Sequence, residues 1–413
     1  MVSLCLPSFQ EVFVTARETG IPAVRLEDPD WYLEDPHAAY RRLRCEAPVF
    51  WVEPHGFWFL TKYADVHAVS KDPGRYCSSR GFRIQDGLKP VSPVTEDFPP
   101  TILSMDPPQH SKHRNIVSPF FTPHAVARLE ARLRELARES IREISPGETR
   151  DFVEAVSLRL PVIAIAEMLG VPGSEREQFK DWSDALVALN DGDVEALPRV
   201  GELFAYMTSH ALERRKTPRE DLLSALATAK PEGRLLEARE LGMFGMLLLA
   251  GGNETTRNLI SGGAEALMAN QDQKVQLARD PSQIPSAVEE MVRWTSPIRT
   301  FGRTATCATE IRGQKIASGD FVVLCYSAAN RDEDAYGSDS EKFDIHRKGG
   351  PPHLGFGVGQ HVCLGAHLAR LEARVVFEEL LARFPRLELA GEIQRVRSIS
   401  INGIERMPVA FHT

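Results

Sequence analysis

Phe356-Gly357-Val358-Gly359-Gln360-His361-Val362-Cys363-Leu364-Gly365 decides how the rest of this 413-residue chain is read. Three glycines, an aromatic ring, a histidine and a thiol fall within ten residues, and a helical apolar pattern follows directly. Glycine lets the backbone take positive φ and come close to a flat ligand. The thiol is placed where a helix begins, and the amide groups and dipole there favour a thiolate. A thiolate in a tight glycine loop suits a haem iron, because it pushes electron density onto the metal and favours O–O cleavage. A buried structural cysteine is the usual reading of a lone thiol, but it leaves the glycines, the ring and the histidine without a purpose.

A second unusual stretch is Gly251-Gly252-Asn253-Glu254-Thr255-Thr256, inside the longest helical pattern, residues 237–270. Each glycine costs a helix about 1 kcal/mol relative to alanine, so something must approach the backbone or distort it. An acid and two hydroxyls follow at once. In an apolar helix they are costly unless partnered or functional.

Together these two stretches resemble the cytochrome P450 haem-thiolate monooxygenases. The first matches that family's Phe-Gly-x-Gly-x-His-x-Cys-x-Gly loop, and the second its oxygen-binding groove, with the likeness spanning roughly residues 30 to 410. The resemblance implies haem b bound through Cys363, within a cradle that includes Gly251, Phe356, Gly357 and Gly365. It implies that Thr255 and Glu254 deliver the protons that heterolytic O–O cleavage requires. His110 and Arg114, four apart behind Pro107-Pro108, match the family's His-x-x-x-Arg. With Arg303 and His361 they become the donors to the haem propionates. Glu290 and Arg293 match its Glu-x-x-Arg pair, with Arg331 as the expected third member of a structural network.

The implied fold is mainly α with small β-sheets. Residues 31–413 form a single haem domain, and residues 1–30 form a partly irregular N-terminal extension. The patterning agrees. Helical spacing covers 31–45, 65–70, 123–144, 152–169, 175–190, 197–215, 282–294 and about 363–384. Val49–Val52 and Phe57–Leu60 read as a β-hairpin, 299–326 as short strands, and the tail beyond Leu387 as further strands. The Gly- and Pro-rich stretch 77–104 is a long loop of the kind that usually serves function; in the family it covers the substrate pocket.

Composition narrows the function. A net charge of −8 argues against general nucleic-acid binding. The six cysteines are scattered with no CxxC pair, which excludes a zinc framework or disulfide scaffold and fits a reducing cytoplasm. No apolar run approaches the ~20 residues needed to span a bilayer, and Met1 to Thr19 has neither signal-peptide nor anchor character.

The substrate is less determined. By analogy Ile102, Leu103, Leu247, Leu248, Ile298, Phe301 and Ile401 line an apolar pocket. Asn253–Asn258 and Ser400–Val409 are similar to members that oxidise sterols, terpenoids and branched lipids. Strand alternation places Arg299, Phe301 and Arg303 on one face, which would let Arg299 meet a substrate carboxylate or keto group; Arg80, Arg83 and Lys89 are other candidate anchors. Dioxygen and a separate ferredoxin or flavodoxin with its reductase are implied partners, the protein partner being met by a basic patch of Lys112 and His113 with Arg128 or Arg374. A monomer is expected. The rival functions are a peroxygenase driven by hydrogen peroxide and a haem-based sensor without turnover; the Glu254-Thr255 pair argues against both.

Overall fold

Among the described residues, nine helices carry the architecture: α1 (His37–Glu46), α2 (Gln109–Val117), α3 (Glu130–Arg142), α4 (Arg159–Leu169), α5 (Arg176–Asn190), α6 (Leu197–Lys216), α7 (Ala238–Ala269), α8 (Ile284–Thr295) and α9 (Ala366–Arg383), with further short helices between them. The structure, a computed structural model, describes residues 24–53, 55–88, 99–190 and 193–413. Most of the N-terminal extension, Lys89 and the prolines at 90 and 93 lie outside those residues.

The 32-residue α7 is the axis of the molecule. A reciprocal capping box between Glu237 and Glu240 opens it, satisfying backbone donors that have no partner within the helix. Apolar residues then surround it on all sides, as expected of a helix buried on every face. It packs against α4, α5, α6, α8 and α9. The paired glycines do not break it. A Cβ on Gly252 would come within 3.1 Å of Ile165 on α4, so this glycine admits a neighbouring helix. A Cβ on Gly251 would meet nothing within 4 Å; that position faces open space.

The expected hairpin forms with Val49 opposite Leu60. Its strands β1 (Val49–Val52) and β2 (Phe57–Leu60) join β3 (Tyr76–Cys77), β4 (Thr300–Ala305) and β5 (Phe321–Cys325) in one sheet of order β1-β2-β5-β4-β3. The tail strand Pro408–His412 pairs with both Arg386–Leu389 and Thr149–Asp151 in a separate three-stranded sheet. The helix expected over 123–144 is two, Pro123–Ala127 and α3. The last helix begins at Ala366 rather than Cys363, so the thiol stands in the turn before it. No described helix is long and apolar enough to cross a membrane.

The Glu290–Arg293 pair is buried and bidentate, with both bonds 2.7 Å. Arg293 also donates to the carbonyls of Asn330, Ser340 and Lys342. The Asn330 side chain accepts from the Leu354 amide at 2.7 Å, which ties the network to the segment entering the cysteine loop. The third cation is not Arg331. Arg347 takes that place, with Nε 3.2–3.3 Å from the two Glu290 oxygens. Arg331 instead lies 3.7 Å over the Trp294 ring and reaches Glu341 at 3.5 Å. Both oxygens of Glu290 are already engaged by Arg293 and Arg347, so Arg331 finds its partners on the far side of Trp294.

Candidate active site

The cysteine loop is shaped by its glycines. Gly357 and Gly359 have φ of 65° and 77°, a region that side chains other than glycine rarely adopt. A Cβ on Gly359 would lie 2.7 Å from the Ser70 carbonyl. The Cys363 amide donates to the Phe356 carbonyl at 2.7 Å, closing the turn. Arg370 stacks 4.4 Å over the Phe356 ring and grips Glu289 through two bonds of 2.6 and 2.9 Å. Burial pushes the Glu289 carboxyl up, but His353 and Arg370 outweigh it and hold it down at about 2.

Cys363 is walled by protein, yet its accessible surface opens into a cavity between the cysteine loop and α7. Burial raises its thiol, while the Gly365 amide, Arg114 and Arg370 pull the other way. A metal ion there would hold it as the thiolate. The cavity, about 1410 Å³ of space with its open mouth included, is lined from one side by the cysteine loop and from the other by α7.

Four cationic or potentially cationic side chains converge beside the thiol. Arg114, Arg303 and His361 line the cavity, and the His110 ring lies 4.4 Å from that of His361. Arg114 donates to the Val362 carbonyl at 2.6 Å, Arg303 to the Gly302 carbonyl at 2.6 Å, and His361 Nε2 lies 3.1 Å from Ser78 Oγ. Both ring nitrogens of His110 are buried without a partner. Burial lowers all four, and the two arginines depress the histidines further: His361 falls to about 3. The nearby acid Asp106 is committed to the Ser78 and Ser79 amides. Such a cluster of under-partnered donors suits a ligand that brings carboxylates. A glycine loop beneath, a thiol at the centre and the open face of Gly251 opposite complete a cradle that fits haem and its two propionates.

Across the cavity stands α7. Gly251, Thr255 and Thr256 line it, and the Thr255 hydroxyl donates to the Gly251 carbonyl at 3.0 Å. Glu254 is buried, does not line the cavity, and lies 3.9 Å from Arg257.

The predicted apolar lining is largely present: Ile102, Leu103, Leu247, Leu248, Ile298 and Phe301 all face the cavity. Ile401 does not; it bridges Ile298 from behind. Arg299 is corrected too. It is 2% exposed, lies outside the cavity wall, and points the other way. Its guanidinium donates to the carbonyls of Ser398 and Ile401 and to Asn402 Oδ1, and it sits 4.8 Å over Tyr32. The reason is a phase change: β4 begins only at Thr300, and the Arg299 amide is bound to the Ser400 carbonyl. Arg83 is paired with Asp86, and neither it nor Arg80 lines the cavity.

The expected basic patch is thinner than the sequence suggests. His113 is buried, with Nδ1 3.0 Å from the Gln109 carbonyl. Arg374 is paired with Glu130 at 2.6 Å. Lys112 and Arg128 remain exposed. Sequence reasoning also missed the cavity residues Ile165, Leu259 and Tyr326, which look like ordinary core. It missed Glu372 on α9, which is 1% exposed and beside Thr256, and which burial pushes up to about 8. A glutamate at an apolar position of the last helix was the available signal.

Comparison with known proteins agrees with this geometry. The cytochrome P450 family model matches residues 200–398. A steroid C26-monooxygenase of Rhodococcus jostii is 34% identical over 99% of this chain and 90% of its own length. A linalool 8-monooxygenase of Pseudomonas putida is 36% identical, covering 94% of this chain and 98% of its own. A solved cytochrome P450 from Chondromyces apiculatus superimposes with a TM-score of 0.84 at 35% identity, over 94% of this chain and 98% of that one. A Mycobacterium marinum cytochrome P450 in complex with pseudoionone gives 0.84 at 36% identity, over 92% and 96%. With its thiol, its arginines and its threonine lining one cavity, the chain belongs to the cytochrome P450 family of haem-thiolate monooxygenases.

Proposed function

We propose that this monooxygenase inserts one oxygen atom from O₂ into a C–H bond of a branched, largely apolar molecule of the steroid, terpenoid or methyl-branched lipid class. The carrying observation is the cavity wall opposite the cysteine loop, formed by Ile102, Leu103, Leu247, Leu248, Ile298 and Phe301 with no charged side chain among them. Steroid, linalool and methyl-branched lipid oxidation among the relatives supports the same class.

Haem bound in the cradle supplies the oxygen-activating iron. Cys363 holds that iron, and His110, Arg114, Arg303 and His361 hold the propionates. Leu247, Leu248, Ile298 and Phe301 orient the substrate and exclude water. Thr255 presents a hydroxyl to the cavity, and its present bond to the Gly251 carbonyl can be exchanged for one to a bound reactant. Glu254, adjacent on the helix, takes up protons and passes them to that hydroxyl. We further assign residues 31–413 to one haem domain, acting as a cytoplasmic monomer. Electrons come from a separate ferredoxin or flavodoxin with its reductase, which meets the cysteine side near Lys112, Arg128 and the exposed His367.

Titration of the purified ferric protein with a sterol, linalool, a methyl-branched fatty acid and an aromatic acid tests the substrate class. A spin-state shift with one of the first three, followed by a hydroxylated product under ferredoxin-driven turnover, is expected. A shift confined to the aromatic acid would overturn the class.

A further inference from the structure

Arg257 lies one turn beyond Glu254 on α7 and is nine-tenths buried. Its guanidinium is 3.9 Å from Glu254 Oε1, a charge pair rather than a hydrogen bond. Its Nε is sealed from solvent with no hydrogen-bond partner. Burying a guanidinium costs several kcal/mol unless a charge answers it, so its placement beside a buried carboxylate calls for a reason.

The surroundings suggest one. From α5, the Ser183 hydroxyl accepts from Asn253 Nδ2 at 2.5 Å, which docks that helix on α7 at this point. Asp184 follows in sequence. Burial pushes its carboxyl up while Lys180, 3.9 Å away, and then Arg257 draw it down; Asp181 adds a smaller upward push. α4 presents apolar Ile165 to Gly252. α9 presents Glu372 beside Thr256. Arg257 is thus the cation that α7 itself supplies, between the carboxylate behind Thr255 and a half-exposed acid on α5.

We propose that Arg257 is the positioning residue of the proton relay, its charge keeping Glu254 a carboxylate turned toward α5, where it can accept a proton before Thr255 receives one. This rests on Glu254 acting in the relay. In each passage Glu254 gains a proton from the α5 side, gives it to the Thr255 oxygen as that hydroxyl releases its own hydrogen into the cavity, and returns to the carboxylate. Loss of that cation would favour the protonated form of the buried acid and hinder its reloading.

Infrared titration of the haem-loaded protein tests this without any substrate. The protonated-carboxyl band missing from Glu254→Gln identifies Glu254. In Arg257→Gln and Arg257→Met the midpoint of that band should rise by about one pH unit or more, a tenfold or greater gain in proton affinity. Arg257→Lys, which keeps the charge, should stay near the parent value. An unchanged midpoint in both neutral variants, with circular dichroism and haem content intact, would overturn the proposal. Ferredoxin-driven O₂ consumption, partitioned between hydrogen peroxide and water, separates the two claims. If Glu254→Gln leaves the partition unchanged, the relay reading itself fails. If Glu254→Gln alters it while Arg257→Gln alters neither partition nor midpoint, only the role of Arg257 fails.

Discussion

The two walls of the cavity are built by different rules. The wall carrying Cys363 is polar and crowded: positive-φ glycines, a closed amide bond, Arg370 stacked on Phe356, and two arginines and two histidines converging. The opposite wall is apolar apart from the hydroxyls of Thr255 and Thr256. Directional groups at one wall allow few substitutes, so that wall dictates the reaction. Aliphatic side chains at the other wall can exchange for one another at small cost, so that wall tunes the substrate and says little of it by residue type.

The largest effect expected is at the polar wall. Cys363→Ser should abolish the thiolate spectrum and turnover together; retention of both would mean another ligand holds the iron. Next comes the network behind the loop. Glu290→Ala leaves the Arg293 and Arg347 guanidinium groups uncompensated, which should cost about 3–5 kcal/mol and lower haem content, measured by denaturant unfolding and haem assay. An equal loss from Arg331→Ala would instead restore Arg331 as the third member. At the far wall, Thr255→Ala should keep the spectrum and lower product per electron pair by roughly 100-fold, with hydrogen peroxide released instead.

Two smaller effects sharpen the contrast. Arg299→Ala removes three hydrogen bonds to the 398–402 segment, so stability should fall by about 1–3 kcal/mol. The ratio of acidic to neutral ligand affinities should stay constant, as measured by spin-state titration; a selective loss of acidic ligands would return Arg299 to the substrate side. Glu372 has a folded carboxyl raised from an ordinary 4.5 to about 8. The unfolded chain therefore releases its proton first, and this group subtracts stability progressively as pH rises from about 4.5 to about 8. Glu372→Gln should melt roughly 2–4 °C higher than the parent at pH 8 and equally at pH 4.5; equal melting at both pH values would refute the shift.

Much of this was legible in the sequence because it is local. The hairpin, the bounds of α7 and the cysteine loop each depend on neighbours within a few residues. What escaped depends on distance along the chain. Arg347 joins Glu290 from 57 residues away, with no pattern to distinguish it from Arg331. Arg299 escapes strand alternation because β4 starts one residue after it, and the 398–402 segment that captures it lies about a hundred residues on. His113 and Arg374 read as surface cations because neither the Gln109 carbonyl nor Glu130 announces itself as a partner.

The most direct test of the central claim is the absorption spectrum of the reduced, haem-loaded protein under carbon monoxide. A long-wavelength Soret band characteristic of thiolate ligation is predicted, lost in Cys363→Ser. A band typical of histidine ligation, or a protein that takes up no haem, would contradict the account.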